Sequence, residues 1–241
     1  MHYPNGNFWK AREIRVSYVA FRCRRIFNNG SWSDGGRHYN AIQNCSQIER
    51  ATILFNGNPT IELDFKAMHP TMLYHKGHQA PPKDCYSVFG DLEKDKLARE
   101  CVKLLLLSMI NASSETDALG AVQYKYNLQK HKLNGQTNLP FIIESCGFKK
   151  LAEIAKIIQR FHAPIAHFFH SGIGIKLQKD ESEIMRAILH HCVKKFQIPA
   201  IPVHDSVIVP STHAELVTDL MMASYEKRMG DGCQIIVEAK G

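Results

Sequence analysis

Two aspartates lie where an apolar segment would normally exclude a charge. Asp64 ends the segment TIELDF, and Asp205 lies between the apolar stretches of residues 200–209. The tripeptide His204–Asp205–Ser206 predicts a tight turn between two strands. If these strands and the strand ending at Asp64 are neighbours in one sheet, the two carboxylates converge at its edge. Carboxylates held on rigid strands can bind two divalent ions for phosphoryl transfer, and Mg²⁺ prefers such oxygen ligands.

A basic stripe separates the two aspartates in the sequence. Lys96, Arg99 and Lys103 are three and four residues apart, so they share one face of a predicted helix whose other side is rich in leucine. Such a stripe is usually a solvated face. Each aspartate also has a structural explanation, Asp64 as a helix N-cap and Asp205 in an Asx turn. The order carboxylate, basic helix, carboxylate instead favours a clamp for a triphosphate.

The elements that must position these groups are mixed helices and hairpins without βαβ alternation, which predicts an α+β fold. Residues 51–65 predict a hairpin with the turn NGNP, and the glycines and asparagines of residues 28–40 predict tight bends or close approach to a ligand. Residues 123–137 are polar and predict a loop. Apolar residues at helical spacing predict helices over residues 91–112 and 181–196. Further helices are expected over 68–76, 148–170 (with a break at Pro164) and 212–228, and a last strand over 233–239.

Composition and charge narrow the class of protein. The chain has 241 residues, a formal net charge of +7 and a pI near 9.0. This excess favours a polyanionic partner, although a merely basic soluble protein fits it too. The longest apolar run, residues 104–107, is too short to span a bilayer, and the first twenty residues lack the apolar core of a signal peptide. We therefore expect no membrane partner. Seven scattered cysteines without a CxxC pair predict reduced thiols in a cytoplasmic protein.

Five segments resemble, in order, the motifs of family A DNA polymerases and of the single-subunit RNA polymerases of phages and mitochondria. DGGRHYNAIQN resembles the glycine–arginine segment that contacts the primer–template duplex, and TIELDFKAMHPTMLY is similar to motif A. RECVKLLLLSMINA resembles motif B, the fingers helix, and LQKDESEIM resembles the segment that supplies a glutamine before motif C. VHDSVIVP is similar to motif C. Together the segments cover roughly residues 33–210.

The resemblance implies a right-hand polymerase palm, an antiparallel sheet with helical fingers, in a single polymerase-like unit over residues 1–241. The palm would comprise roughly residues 30–90 and 175–241, and the fingers roughly 91–174. It also implies two Mg²⁺ ions, with Mn²⁺ able to replace them, a DNA template–primer, and a deoxynucleoside or nucleoside triphosphate. The residues it assigns are Asp64 and Asp205 as metal ligands, His204 beside them in catalysis, Arg99, Lys103, His69, Asn111 and Phe65 at the nucleotide, and Arg37, Gln43 and Gln178 at the nucleic acid.

Three departures from the family pattern bear on the activity. The tyrosine that usually stacks on the incoming base is replaced by Asn111, eight residues after Lys103. His69 lies five residues after Asp64, where the DNA enzymes carry a glutamate that excludes the ribose 2′-hydroxyl and the RNA enzymes carry glycine. Because an imidazole is bulky, we expect exclusion and therefore a DNA polymerase. Too few residues precede the duplex-contacting segment for a thumb, so an accessory protein is expected in its place.

Other functions fit parts of the sequence. A single-subunit RNA polymerase or a primase-like enzyme would carry the same motifs, and a catalytically degenerate palm would bind nucleic acid for a partner complex. The run His190–His191–Cys192 suggests a zinc site, although adjacent ligands on one helix point in different directions. The presence of both aspartates favours the catalytic interpretation over the degenerate palm.

Overall fold

The protein combines antiparallel strands with packed helices, which confirms the predicted α+β class. The computed structural model describes residues 22–90, 96–132, 143–144 and 147–240. Its strands are β1 (Arg24–Phe27), β2 (Gly35–Tyr39), β3 (Leu54–Phe55), β4 (Asn58–Phe65), β5 (Ile201–Val203), β6 (Ser206–Pro210) and β7 (Val237–Lys240). Its α-helices are α1 (Gln47–Arg50), α2 (Met68–Lys76), α3 (Lys96–Asn111), α4 (Glu115–Lys132), α5 (Leu151–Phe161), α6 (Gly174–His190) and α7 (Ala214–Met229).

The central sheet is antiparallel and is built around β4. Strand β6 pairs with β4, and β5 continues the sheet beyond β6. Strands β3 and β7 also pair with β4, β3 near its beginning and β7 near its end. Alternation along β4 sends Leu63 and Phe65 into the main core, so Glu62 and Asp64 lie on the opposite face of the sheet.

The hairpin predicted over residues 51–65 forms with a tighter turn than expected. Leu54 pairs with Pro59 and Phe55 pairs with Asn58, so the loop is the two residues Asn56 and Gly57 alone. Their φ angles are 51° and 81°, the positive values that a hairpin turn of this length requires. Its first arm is short because Thr52 and Ile53 donate to the carbonyl oxygens of Glu49 and Arg50 in the turn that ends α1.

A smaller two-stranded sheet, β1 with β2, packs against α6. Gly36 of β2 has a φ of 84°, and a Cβ there would lie 2.8 Å from the Phe27 ring and 3.1 Å from Oγ of Ser182 on α6. Only glycine permits this close approach of strand and helix. The packing brings Arg37, the next residue, against α6.

The main core lies between the sheet and the helices α2, α3, α5, α6 and α7. Helix α7 covers the sheet with Val217, Met221 and Tyr225, which are fully buried and four residues apart. Such spacing places side chains on one face of a helix. A second, smaller cluster fills the other side of the sheet and consists of Ile42, Ile201, Val203 and Ile208.

The prediction of a loop over residues 123–137 was wrong for residues 123–132. Those residues belong to α4, and residues 133–137 lie outside the described part of the chain. Ala118, Val122 and Tyr126 recur every four residues and are buried, so a narrow apolar stripe docks the helix on the core. The polar residues around the stripe hid this periodicity.

Other helices differ from their predictions mainly in their ends. Helix α2 spans the predicted residues, whereas α3 is described from Lys96 and residues 91–95 lie outside the described part. Helix α6 begins seven residues before the predicted start and continues into a π-helix over His191–Lys195. The predicted break at Pro164 lies in a 3-10 helix, Ala163–Phe168, that follows α5. The last strand is shorter than predicted, Val237–Lys240.

None of the helices in the described part of the chain combines the length and the apolar character needed to cross a bilayer. The six described cysteines form no disulfide.

Candidate active site

The two predicted metal ligands meet at one end of the paired strands β4 and β6. Asp64 is opposite Ser206 in the antiparallel register, so it lies beside Asp205, the residue before Ser206. The N–H of Phe65 also donates to the carbonyl oxygen of Asp205, at 3.4 Å. Both aspartates line a cavity of about 500 Å³. The convergence predicted from the two apolar segments is therefore confirmed.

The turn that carries Asp205 is held by side chains as well as by strand pairing. His204, the first of its two turn residues, has a φ of 55°, a value that a residue with a side chain adopts at some cost. The hydroxyl of Ser206 lies 2.7 Å from Oε1 of Glu62 and 2.8 Å from the carbonyl oxygen of Val203. These contacts tie the turn to β4.

The two carboxylates destabilise each other when both are ionised. Burial and, after it, the nearby Asp205 carboxylate raise the pKa of Asp64 to about 6. Burial and, after it, the Glu181 carboxylate raise the pKa of Asp205. The ammonium group of Lys240 opposes both shifts, since Nζ lies 3.0 Å from Oδ1 of Asp64. A further cation bound here would favour the ionised form of both carboxylates.

Lys240 is held in place by Glu62, which lies two residues before Asp64 on the same face of β4. Nζ of Lys240 lies 3.2 Å from Oε1 of Glu62. Arg50 binds the same carboxylate from the other side, through Nε at 2.8 Å and Nη2 at 3.2 Å. Although burial favours the protonated form, the hydrogen bonds from Arg50 and Ser206 lower the pKa of Glu62. This network fixes one positive charge beside the aspartate pair.

The basic face of α3 forms another part of the cavity wall. Arg99 and Lys103 both line the cavity, while the side chain of Lys96 lies outside the described residues. Arg99 forms a double ion pair with Asp84, Nη1 to Oδ2 at 2.8 Å and Nη2 to Oδ1 at 3.1 Å. The ring of Tyr86 lies beside both cations, 5.4 Å from Cζ of Arg99 and 5.8 Å from Nζ of Lys103. A guanidinium has five N–H groups, so the pair with Asp84 is compatible with binding a phosphate.

A buried glutamate that the sequence analysis missed connects two of the predicted residues. Glu181 of α6 is 1% exposed and accepts two hydrogen bonds from Arg37, at 2.8 and 2.6 Å, and one from His69, at 2.8 Å. Burial favours its protonated form, but these bonds lower its pKa. A signal was present in the sequence, since Glu181 lies three residues after Gln178 and so shares its face of the helix. Lys240 had no such signal, because β7 reaches β4 only in the folded chain.

All the predicted site residues except Gln43 line this one cavity. Gln43 instead donates from Nε2 to the carbonyl oxygen of His38 at 2.7 Å and lies near that of Pro202, so its amide joins two backbone segments. The ring of Phe65 is 1% exposed and packs against Tyr225, with the ring centres 5.9 Å apart. Phe65 is therefore a core residue at the floor of the cavity.

The predicted nucleotide residue Asn111 lies where the end of α3 meets the beginning of α6. Its Nδ2 donates to the carbonyl oxygen of Leu107 at 2.7 Å. A Cβ on Gly174 would lie 2.0 Å from Oδ1 of Asn111, so a larger residue at the start of α6 would displace the Asn111 side chain. Gln178, on the next turn of α6, lines the cavity as well.

The donor atoms of the site fit Mg²⁺ better than zinc. Among the described residues, no three histidine, cysteine, aspartate or glutamate side chains gather as they would for a site held by protein ligands alone. Mg²⁺ needs only one or two carboxylates, because waters and substrate phosphates complete its shell. In the run that suggested zinc, Nδ1 of His191 bonds to the carbonyl oxygen of Ala187 and Cys192 is fully buried.

The chain matches no protein-family model and no curated protein significantly.

Proposed function

We propose that this protein is a template-directed nucleotidyltransferase, a minimal family A-like DNA polymerase that uses two Mg²⁺ ions. The observation that carries the proposal is the shared cavity: Asp64 and Asp205, on paired strands, line it together with Arg99 and Lys103 of α3. In this proposal the central sheet belongs to a palm of roughly residues 30–90 and 175–241. The helices of roughly residues 91–174 are the fingers.

The basic residues of the cavity bind the triphosphate of the incoming nucleotide. Arg99 and Lys103 contact its phosphate oxygens and offset the negative charge that develops on the leaving pyrophosphate. The double ion pair of Arg99 with Asp84 orients the guanidinium before substrate arrives. Catalysis comes from positioned charge and needs no covalent intermediate with the protein.

Asp64 and Asp205 are the metal ligands of the proposal, because the strand register brings them side by side at the wall of one cavity. The two carboxylates would hold Mg²⁺, which would polarise the phosphoryl oxygens and make the primer 3′-hydroxyl a better nucleophile. His69 lines the same cavity and, held by Glu181, excludes the ribose 2′-hydroxyl, which favours deoxynucleotides. His204, exposed in the turn before Asp205, contacts the primer end.

The second candidate is a palm that binds nucleic acid without catalysis. The ion pair between Lys240 and Asp64 favours it. Nζ of Lys240 lies 3.0 Å from Oδ1 of Asp64 and already neutralises part of the negative charge that a metal ion would neutralise. A catalytic site of this design requires that Lys240 and the metal share Asp64, or that Lys240 moves away.

Primer extension with dNTPs and with NTPs in parallel, with and without Mg²⁺, tests the proposal. We expect extension with dNTPs that depends on template and on Mg²⁺ and is abolished in Asp64→Asn. The matched control is Glu238→Gln, which removes an exposed carboxylate from the same cavity rim. Efficient extension with NTPs alone would make the protein an RNA polymerase. Tight template binding without any extension, in the parent and in Lys240→Ala alike, would establish the non-catalytic palm.

A further inference from the structure

The loop between β1 and β2 presents a tryptophan almost entirely to solvent. Trp32 is 79% exposed, the most exposed aromatic side chain in the described part of the chain. Leaving a side chain of this size in water forgoes the stabilisation that its burial would bring. A partner that covered the indole would recover this stabilisation.

The loop that carries Trp32 is internally bonded. The N–H of Asn28 donates to the carbonyl oxygen of Asp34, the N–H of Ser31 to that of Asn28, and the N–H of Asp34 to that of Ser31, at 2.9–3.2 Å. The indole meets the ring of Phe27 edge-on, with the ring centres 4.6 Å apart. The bonded loop and the contact with Phe27 restrict the indole, which lowers the entropy cost of stacking a partner on it.

The surroundings of Trp32 are positively charged. Arg25 and Lys179 lie over the Phe27 ring, 4.9 and 5.1 Å from its centre. Lys176 binds Asp34 at the base of the loop and keeps a side chain that is 54% exposed. The ion pairs that join this region contain four cations and two carboxylates: Arg25, Lys176, Lys179 and Arg186 with Asp34 and Glu183.

We propose that Trp32 stacks on an unpaired base of a single-stranded nucleic acid, with Lys176 and Lys179 beside the neighbouring phosphates. An exposed aromatic ring flanked by cations is the arrangement by which proteins bind single strands without reading sequence. The position agrees with this occupant, because Lys176 and Lys179 flank Gln178 on α6 and Gln178 lines the candidate active site. A strand leaving that cavity along α6 reaches the loop.

The inference deepens the proposed function, since the strand it assigns to Trp32 is the single-stranded part of a template. Binding itself does not depend on catalysis. A protein partner could cover the same tryptophan without using the positive charge around it. Nucleic acid is a polyanion, so it is the occupant that the charges favour.

Binding is measured by titrating the full chain with oligodeoxythymidylate and with blunt duplex DNA. The chain has two tryptophans, so Trp9→Phe leaves Trp32 as the fluorescent reporter. We expect the oligonucleotide to quench Trp32, and Trp32→Ala to weaken single-strand binding about 5- to 150-fold, the range for loss of one stacked base. Trp32→Phe should recover part of the loss. Tyr124→Ala, which removes an exposed aromatic residue from α4, is the matched control.

Salt separates stacking from charge. The ratio of parent to Trp32→Ala affinity should persist as salt is raised, whereas the effect of Lys176→Ala should shrink. Equal binding by parent and Trp32→Ala, or no quenching, would overturn the inference, and so would an equal loss on blunt duplex. Circular dichroism of Trp32→Ala and the recovery in Trp32→Phe exclude misfolding as the cause. Normal binding at Trp32 without primer extension would instead count against the proposed polymerase activity alone.

Discussion

Oε2 of Glu181 accepts a hydrogen bond from Nε2 of His69 at 2.8 Å. The same oxygen accepts a bond from Nη2 of Arg37 at 2.6 Å. Because an ionised carboxylate can only accept, the bond places a proton on Nε2 of His69 and fixes the orientation of the ring. The residue at the proposed sugar position is therefore held by α6, and its action in the cavity depends on Glu181.

Replacing Glu181 should cost stability, because Arg37 and His69 would lose their charged partner. We expect Glu181→Gln to lower the free energy of unfolding by about 1.5–3 kcal/mol, the range for a hydrogen bond to a charged group. Urea unfolding followed by circular dichroism measures it. Glu238→Gln removes a carboxylate that is 53% exposed and paired with Lys66, and should cost less than about 1 kcal/mol. Equal losses in the two variants would show that Glu181 contributes no more than a surface ion pair.

His69→Gly should admit ribonucleotides while use of deoxynucleotides survives. The imidazole lines the same cavity as Asp64, and its removal would open space for a 2′-hydroxyl. The ratio of kcat/KM for dNTP and NTP measures the change. A parent that prefers ribonucleotides, with a glycine variant that loses this preference, would make His69 a residue that hydrogen-bonds to ribose and the protein an RNA polymerase.

Asp205→Asn should abolish extension and at the same time stabilise the metal-free protein. Burial and the Glu181 carboxylate raise the pKa of Asp205, so its ionised form is disfavoured in the folded state. A neutral amide removes this unfavourable charge. We expect a higher melting temperature without Mg²⁺, loss of the Mg²⁺-dependent rise in melting temperature, and at least about a hundredfold loss of extension. Duplex binding should hardly change, since phosphate contacts provide it. More than a tenth of the parent rate would contradict the role of Asp205 as a metal ligand.

Lys103→Ala should raise the KM for the nucleotide far more than the dissociation constant for template. The ammonium group lies in the cavity beside Tyr86, where the proposal places the triphosphate. Steady-state kinetics and template-binding titrations measure the two effects. Lys125→Ala, an exposed lysine on α4, is the control for loss of one positive charge. Proportional losses in nucleotide use and template binding would place Lys103 on the nucleic-acid backbone.

The stability of the protein should fall between pH 6.5 and pH 4 partly through His162. This histidine is fully buried, donates from Nε2 to the carbonyl oxygen of Cys85 and accepts at Nδ1 from the hydroxyl of Tyr74. Burial lowers its pKa to about 4. The unfolded chain therefore binds a proton in this interval that the folded chain does not, which costs up to about 3 kcal/mol by pH 4.

Urea unfolding of the parent and of His162→Gln from pH 4 to pH 7.5 measures this contribution. In the glutamine variant the free energy of unfolding should depend less on pH. The part of the pH dependence that comes from His38 and the carboxylates should be the same in both proteins. Parallel pH profiles would show that His162 is not neutral in the folded state.

Local patterns in the sequence determined much of the fold. Apolar spacing predicted α3 and most of α6, and the apolar residues on both sides of Asp205 predicted the two strands joined by its turn. The dipeptide Asn56–Gly57 has the positive φ values that a two-residue hairpin needs. These features depend on neighbouring residues, so the linear sequence carries them. The convergence of Asp64 with Asp205 followed from the same reasoning once their strands were taken as neighbours.

Only the tertiary structure decided which groups surround the two aspartates. Lys240 reaches Glu62 across 178 residues of chain, and Glu181 reaches Arg37 across 144, so no local spacing relates them. The sequence of α4 is largely polar, and the helix is held by three buried residues that pack on the core, Ala118, Val122 and Tyr126. The sequence therefore determined which residues could do chemistry, and packing over long separations determined their partners, because burial and charge depend on every segment that reaches the site.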